Sequence, residues 1–362
     1  MPVPLFASSL AAHMPRIAER LTEVAASGQY ILGPEVESFE RELAAYLGAG
    51  HCVGVGSGTD ALAIALRALG VGPGDEVVVP SFTFYATAEA VAALGARPAF
   101  CDVDPETFCL TAESVERALS ERTRAIVPVH LFGNVVPVDE LHGFGLPIVE
   151  DAAQAAGARL DGRRAGTLGH AAALSFFPSK NLPGLGDGGA VVTDDDEVAE
   201  RARLLRSHGS RDKETFVEVG YNSRLDALQA AVLRELLPEL DAWNARRRTV
   251  ARAYAERGLA PDLALPVATR GAEHVYHLYV VRHARPDELA ARLRERGVEA
   301  RGYYRLPVHR QPAMAAYAPT GGPPELPGTE EAARTNLALP MGPELTDEQV
   351  DEVAAACASG ST

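Results

Sequence analysis

The chain has 362 residues, 47% of them hydrophobic, and a formal net charge of −15. That length suggests two domains, or one large domain with a smaller one attached. The acidic balance argues against binding nucleic acid or an anionic membrane through bulk electrostatics, though it leaves room for a local phosphate seat made of backbone N–H groups. The four cysteines, Cys52, Cys101, Cys109 and Cys357, show no CxxC spacing and no accompanying histidine cluster. The first three lie in apolar surroundings and read as small core residues, so no metal site is implied and the pattern fits a reducing compartment. The N-terminal stretch lacks a basic region before its short apolar run, and no run approaches the length of a membrane span. A soluble, cytoplasmic protein is expected.

From about residue 34 to 193, helical and strand patterns alternate. "EVESFERELAAYLG" has apolar residues at helical spacing (Val36, Phe39, Leu43, Leu47) and ends at Gly48. "HCVGVGS" predicts a strand, "GTDALAIALRALG" a helix, "DEVVVPS" a buried strand and "YATAEAVAALG" a helix. "RPAFCDV", "RAIVPVH", "LPIVED", "AAALSFF" and "GAVVTDD" predict further strands. Short apolar strands alternating with helices mean βαβ units and a mainly parallel sheet buried on both faces. A long helical stretch follows from Ser223, and Pro238 should kink or break it. "HVYHLYVVR" predicts a strand, "RPDELAARLRERG" a helix, "APTGGPPELPGT" a Gly/Pro-rich loop and "LTDEQVDEVAAACAS" a closing helix. The expected organisation is a large α/β domain over 1–240 and a smaller α+β domain over 241–362.

Three stretches carry chemistry. "VGVGSGTDALAIAL" is a strand, a turn with Gly54, Gly56 and Gly58, and a helix that Ser57 or Thr59 can cap. Its unpaired N–H groups and positive end suit a phosphate, yet no Walker lysine follows and the full dinucleotide context is missing. An ordinary Gly-rich turn remains open. "LPIVEDAAQAAGA" ends a strand in Glu150-Asp151, where an acid can face a ligand cation; Asp151 with Gln154 also resembles a helix capping box. In "SFFPSKNLPGLGDGGAVVTDD", Lys180 lies between aromatics and glycines, either as a surface lysine or as a buried amine of lowered pKa. One ligand needs all three: pyridoxal 5'-phosphate, whose phosphate, pyridinium nitrogen and aldehyde call for a helix end, a carboxylate and a lysine.

On the blocks "GQYILGPEVESFERELAAYLG", "GSGTDAL", "GVGPGDEVVVPSFTFYATAEA", "EDAAQAAGA", "SFFPSKNL", "GDGGAVVTDD", "YNSRLDALQAA" and "VHRQPA", the chain resembles the DegT/DnrJ/EryC1 sugar aminotransferases, which have the type I fold of pyridoxal-phosphate enzymes. The resemblance implies Lys180 as the Schiff-base lysine and proton shuttle, Asp151 on the pyridinium nitrogen, Gln154 at the cofactor's 3-hydroxyl and Phe84 stacked on its ring. It implies phosphate contacts from Gly58, Thr59 and Ser175, with Ser57 in the same turn, and from Asn222 of a neighbouring subunit. Arg224, Tyr303, Tyr304 and His309 become substrate candidates; the alternative for Arg224 is a structural salt bridge. Two departures stand out. The helix within "HLFGNVVPVDELHGFGLPIVED" is shorter than usual, and "RGYYRLPVH" stands where many relatives carry His-Tyr-Pro. Some relatives replace the lysine with histidine and dehydrate sugars, so Lys180 places this chain on the transaminase side. The implied activity is transfer of an amino group, with glutamate as donor, to a nucleotide-linked keto sugar, 3-keto preferred over 4-keto, by a homodimer with shared sites. The alternative is a cyclitol ketone or another non-nucleotide ketone.

Overall fold

The computed structural model of the chain describes residues 2–7, 10–318, 322 and 324–358. Part of the expected Gly/Pro-rich loop (319–321 and 323) and Ser359 of the closing segment lie outside the described residues. In chain order the elements are α1 (Met14–Ser27), α2 (Pro34–Leu47), β1 (His51–Val55), α3 (Gly58–Ala68), β2 (Glu76–Pro80), α4 (Ala86–Ala93), β3 (Arg97–Cys101), α5 (Ala112–Ala118), β4 (Thr123–Ile126) and β5 (Val149–Asp151). There follow β6 (Arg159–Leu160), β7 (Arg163–Arg164), β8 (Ala171–Ser175), β9 (Gly189–Thr193), α6 (Asp196–Leu205), α7 (Ala227–Leu236) and α8 (Leu240–Arg257). The chain closes with β10 (Ala272–Glu273), β11 (Tyr279–Arg282), α9 (Pro286–Glu295), α10 (Pro327–Thr335), β12 (Asn336–Leu339) and α11 (Asp347–Ala358).

The central sheet runs β1-β9-β8-β5 and β3-β2-β4, and parallel bridges Ile126↔Ile148 and Val129↔Asp151 join the two. All its strands are parallel except β9, which runs against both β1 and β8. This is the expected α/β fold with a mainly parallel sheet. Burial explains the composition: β2 reads Glu-Val-Val-Val-Pro and β9 reads Gly-Ala-Val-Val-Thr, and both are buried throughout. The alanines of β8 (Ala171, Ala172, Ala173) let the alanine-rich α3 lie close across it, with Ile64 and Leu66 fully buried. Truncating either large side chain to Ala would cost about 2–5 kcal/mol.

A separate apolar cluster joins Val250 and Tyr254 of α8, Tyr279 and Val281 of β11, Leu289 of α9, Leu337 and Leu339 of β12 and Val350 of α11; Val3 and Ala7 pack into it too. Several boundaries differ from expectation. α7 begins at Ala227, because residues 223–226 are extended and Ser223 is tied back to the β1–α3 turn. The long helix breaks at Pro238: α7 ends at Leu236 and a 3-10 turn over Leu237–Glu239 precedes α8. The short connection before β5 is three single 3-10 turns (Leu131–Gly133, Val138–Glu140, His142–Phe144). The strand expected over 274–282 is confined to Tyr279–Arg282, with Tyr276 in the left-handed region at φ 44°. Helices α1, α5, α6 and α10 and strands β6, β7, β10 and β12 have no counterpart among the expected elements.

Candidate active site

Because β1, β5 and β8 are parallel, their carboxyl ends open on one side of the sheet. Ser175 and Val55 both pair with Gly189, so the end of β8, the start of β9 and the end of β1 meet there. The turn from β1 into α3 is held tightly. Glu40 and Arg206 form a buried ion pair; Glu40 Oε1 accepts from Gly54 N at 2.7 Å, and Arg206 Nη1 donates to the Gly54 carbonyl at 2.8 Å. Gly56 N donates to Ser223 Oγ at 3.0 Å, and that hydroxyl donates to Asp60 Oδ2 at 2.6 Å. Ser57 caps α3, its Oγ accepting from Asp60 N at 3.1 Å. A Cβ on Gly58 would lie 2.7 Å from Ser175 Cβ, and one on Gly189 would lie 2.4 Å from the Ser57 carbonyl carbon. Glycine therefore lets the helix end, Ser175 and β9 close on one another. The positive end of α3 faces this corner, and the Thr59 hydroxyl has no hydrogen-bond partner among the described residues.

Strand alternation separates the two acids at the end of β5. Glu150 is fully buried and saturated: it accepts from Gly166 N (2.8 Å), Leu168 N (2.7 Å), Gly169 N (2.7 Å) and His130 Nε2 (2.7 Å). It is a structural anchor. Asp151 points the other way. Its carboxylate accepts from Thr87 Oγ1 at 2.8 Å and Ala153 N at 3.2 Å, and no cationic side chain forms an ion pair with it among the described residues. Burial raises its pKa, against the opposing pull of the Thr87 and Ala153 hydrogen bonds and of Lys180. No helix follows β5, only turns, so the capping-box alternative is not realised. Gln154 is buried, with Oε1 accepting from Phe132 N at 2.7 Å and Nε2 donating to the Tyr304 hydroxyl at 3.2 Å. Phe84 is 54% exposed, with its ring centroid 5.9 Å from that of Tyr304.

Lys180 closes a turn, its N donating to the Phe177 carbonyl at 2.8 Å. The residue keeps partial exposure, but loss of hydration around the amine pulls its pKa down to about 8, partly opposed by the Asp151 charge. The next residue is anchored from behind: Asn181 Nδ2 donates to Asn244 Oδ1 at 2.8 Å, and its Oδ1 lies 3.2 Å from His277 Nδ1. Burial, with Lys180 and Arg247 nearby, holds His277 well below the usual imidazole range and so neutral.

The remaining candidates divide. Asn222 is exposed and Arg224 half-buried, and neither side chain has a hydrogen-bond or ion-pair partner among the described residues. The salt-bridge alternative for Arg224 is thus not realised within the chain. Tyr304 sits against Gln154, while Tyr303 packs beside it, ring centroids 5.7 Å apart, with its N donating to Asn336 Oδ1 at 2.6 Å. Arg305 is engaged by Asp287 at 2.8 Å. His309 is buried away from Lys180, its Nδ1 2.5 Å from Ser81 Oγ and its Nε2 3.4 Å from Glu330. Thr87, Ser223, Asn181 and His277 were not anticipated; of these Asn181, adjacent to the lysine, and Ser223, between Asn222 and Arg224, stood next to residues already singled out.

The corner thus combines an open helix end, a buried carboxylate lacking a cation and an amine of lowered pKa. That set fits a ligand bearing a phosphate, a protonated nitrogen and a carbonyl. The chain matches the model of the DegT/DnrJ/EryC1/StrS aminotransferase family over residues 12–358, and it belongs to that family. It is 50% identical to the dTDP-3-amino-3,4,6-trideoxy-alpha-D-glucose transaminase of Streptomyces venezuelae over 335 residues, 91% of this chain and 88% of that one. It is 46% identical over 342 residues to a Geobacillus stearothermophilus protein named pleiotropic regulatory protein, covering 92% and 91% of the two chains. The crystal structure of S. venezuelae DesV in complex with a ketimine intermediate superposes with a TM-score of 0.93 at 48% identity, covering 98% of this chain and 97% of that one.

Proposed function

We propose that the protein is a pyridoxal 5'-phosphate-dependent transaminase that converts a nucleotide-linked 3-keto sugar to the amino sugar, with glutamate as donor and 2-oxoglutarate as co-product. The observation that carries the reading is the pairing of the lowered-pKa amine of Lys180 with the cation-free, buried carboxylate of Asp151 on the same side of the sheet as the open end of α3. The cofactor, when bound, supplies an aldehyde that captures amines and a protonated ring that accepts electrons from the neighbouring carbon. The N–H groups of Gly58 and Thr59 would hold its phosphate, with the hydroxyls of Ser57, Thr59 and Ser175 around them. Asp151 would keep the ring nitrogen protonated, Gln154 would meet the ring oxygen and Phe84 would cover the ring. Lys180 Nζ would hold the aldehyde and, when free, would carry a proton to and from the neighbouring carbon. A positioned base of this kind contributes about 10²–10⁴-fold.

The 3-keto preference rests on the 3-amino product named for the S. venezuelae relative. The unpartnered Arg224 is suited to a carboxylate, of the donor or of an acidic sugar. Assembly follows from what the single chain leaves exposed. Phe216, Val217 and Val219 are 58, 64 and 79% exposed beside the free Asn222, and Tyr30 and Ile31 are 48% exposed nearby along the Ile31↔Asp226 bridge. A two-fold dimer covers such a patch and lets Asn222 and Arg224 serve the neighbouring site. The same reading divides the chain at 240/241 and places the protein in the cytoplasm; among the described residues no helix is long and apolar enough to cross a membrane.

The experiment is a half-reaction. Purified enzyme is converted to its amine form with glutamate, freed of donor, and offered 3-keto and 4-keto sugars linked to dTDP and UDP, with an inosose in parallel. Return of the aldehyde form with a 3-keto nucleotide sugar alone supports the reading; return only with the inosose would replace it with a cyclitol transaminase.

A further inference from the structure

The side-chain amide of Gln154 has one possible orientation. Its Oε1 lies 2.7 Å from Phe132 N, and a backbone N–H can only donate. Turning the amide over would set two donors against each other, so the oxygen faces Phe132 whatever else surrounds the group. Nε2 then faces the opposite way and donates to the Tyr304 hydroxyl at 3.2 Å. The amide nitrogen carries two protons, and Tyr304 takes one. Among the described residues nothing accepts the second, and nothing accepts the hydroxyl proton of Tyr304 itself. The Tyr304 hydroxyl lies within reach of the Asp151 charge.

The Phe132 end of this chain is held by an unusual backbone. Phe132 adopts φ 58°, a left-handed conformation rarely taken by a bulky residue. Its ring is locked between Phe82 and Phe108, with centroids 6.2 and 5.4 Å away, and its carbonyl accepts from Leu278 N at 3.3 Å. Such a conformation is strained and persists where the surroundings over-determine it. Here it delivers the N–H that fixes Gln154.

We infer that Tyr304 is a positioning residue: with the amide's polarity set by the Phe132 N–H, the Tyr304 hydroxyl takes one Nε2 proton and holds the amide so that the other is aimed at the cofactor's 3-oxygen, which favours the anionic form of that oxygen. A donor aimed at the charged form of an oxygen favours that form. The inference rests on the cofactor reading above and goes beyond it, because it assigns the residue that aims the contact.

Tyr304→Phe keeps the ring against Phe82 and Phe84 and deletes only the oxygen. Affinities of the wild type and the variant, each resolved of cofactor, are measured for pyridoxal 5'-phosphate and for its 3-deoxy analogue. The wild type should prefer the 3-oxygen by about tenfold or more, the factor that a hydrogen bond to a charged group is worth. In Tyr304→Phe the preference should fall to within about threefold, and the bound cofactor should lose yellow absorbance to the near-ultraviolet band of the neutral ring oxygen. An unchanged preference with an unchanged spectrum would overturn the inference and leave Tyr304 as packing. If circular dichroism shows Tyr304→Phe unfolded, 3-fluorotyrosine at position 304, a poorer acceptor of nearly the same shape, replaces it: a smaller loss in the same direction supports the inference, and no loss overturns it. Failure of wild-type protein to bind pyridoxal 5'-phosphate at all is a separate result, seen by borohydride mapping, and would overturn the cofactor reading together with this inference.

Discussion

Asp151 and Lys180 are tuned in opposite senses by the same loss of water. Burial raises the carboxyl of Asp151, and with no ion-pair partner among the described residues the ionised side chain costs stability that a protonated ring would offset. Asp151→Asn should keep the cofactor but lower kcat by at least about 100-fold, the scale expected when one preorganised charge is removed. An acid whose pKa is higher folded than unfolded weakens folding once pH passes the unfolded value, about 3.9, and the penalty is complete above the folded value. Cofactor-free Asp151→Asn should therefore melt above cofactor-free wild type at pH 7 in a calorimeter, and the gap should close near pH 3. Lys180 titrates at about 8, so the rate at which cofactor-free protein captures pyridoxal 5'-phosphate should climb with pH and level off above that value in stopped-flow absorbance. A rate that kept climbing past about pH 10 would place the amine in ordinary water. Both residues could be recognised from short motifs, because each stands at a strand end or glycine flank. The contrast between Asp151 and Glu150 needed the strand's alternation. The contact from Gln154 to Tyr304 could not be seen at all, since it joins positions far apart in the chain through a turn whose geometry no local pattern announces.

The start of α3, the end of β8 and the start of β9 form one packed unit, and glycine makes their approach possible. Gly58→Ala puts a methyl against Ser175, so the helix end must move off the strand. The expected outcome is at least a tenfold weaker affinity for pyridoxal 5'-phosphate by fluorescence titration, with little change in melting temperature, since the strain falls at the helix's first residue. An unaltered affinity would show that the phosphate does not sit on this helix end. Most strands and helices of the sheet were legible, because buried parallel strands of valine and alanine between glycine-ended helices have few other readings. The start of α7 was misjudged because Ser223 hydrogen-bonds Gly56 across the fold, a tertiary tie that propensity does not contain. Strand β12 was missed because Asn-Leu-Ala-Leu is too short to separate from the end of α10.

Asn222 and Arg224, whose side chains have no partner among the described residues and which are flanked by exposed apolar side chains, motivate the proposed dimer. Co-expression of Lys180→Ala with a chain carrying Asn222→Ala and Arg224→Ala tests the shared site. Each homodimer should be poor, one lacking the amine and the other weakened in phosphate and substrate binding. In a hybrid, one site collects both defects and the other neither, so with random pairing about a quarter of all sites should be intact. Activity near that level supports sharing; no gain, with hybrids confirmed by native mass spectrometry, would keep both residues in their own subunit. The central claim, that Lys180 carries the cofactor, can be tested over the whole chain at once, because Lys180 and Lys213 are its only lysines. Borohydride reduction of the holoenzyme followed by intact-mass and peptide analysis should show one pyridoxyl group per chain, on the peptide containing Lys180. A group on Lys213, or none, would contradict the account.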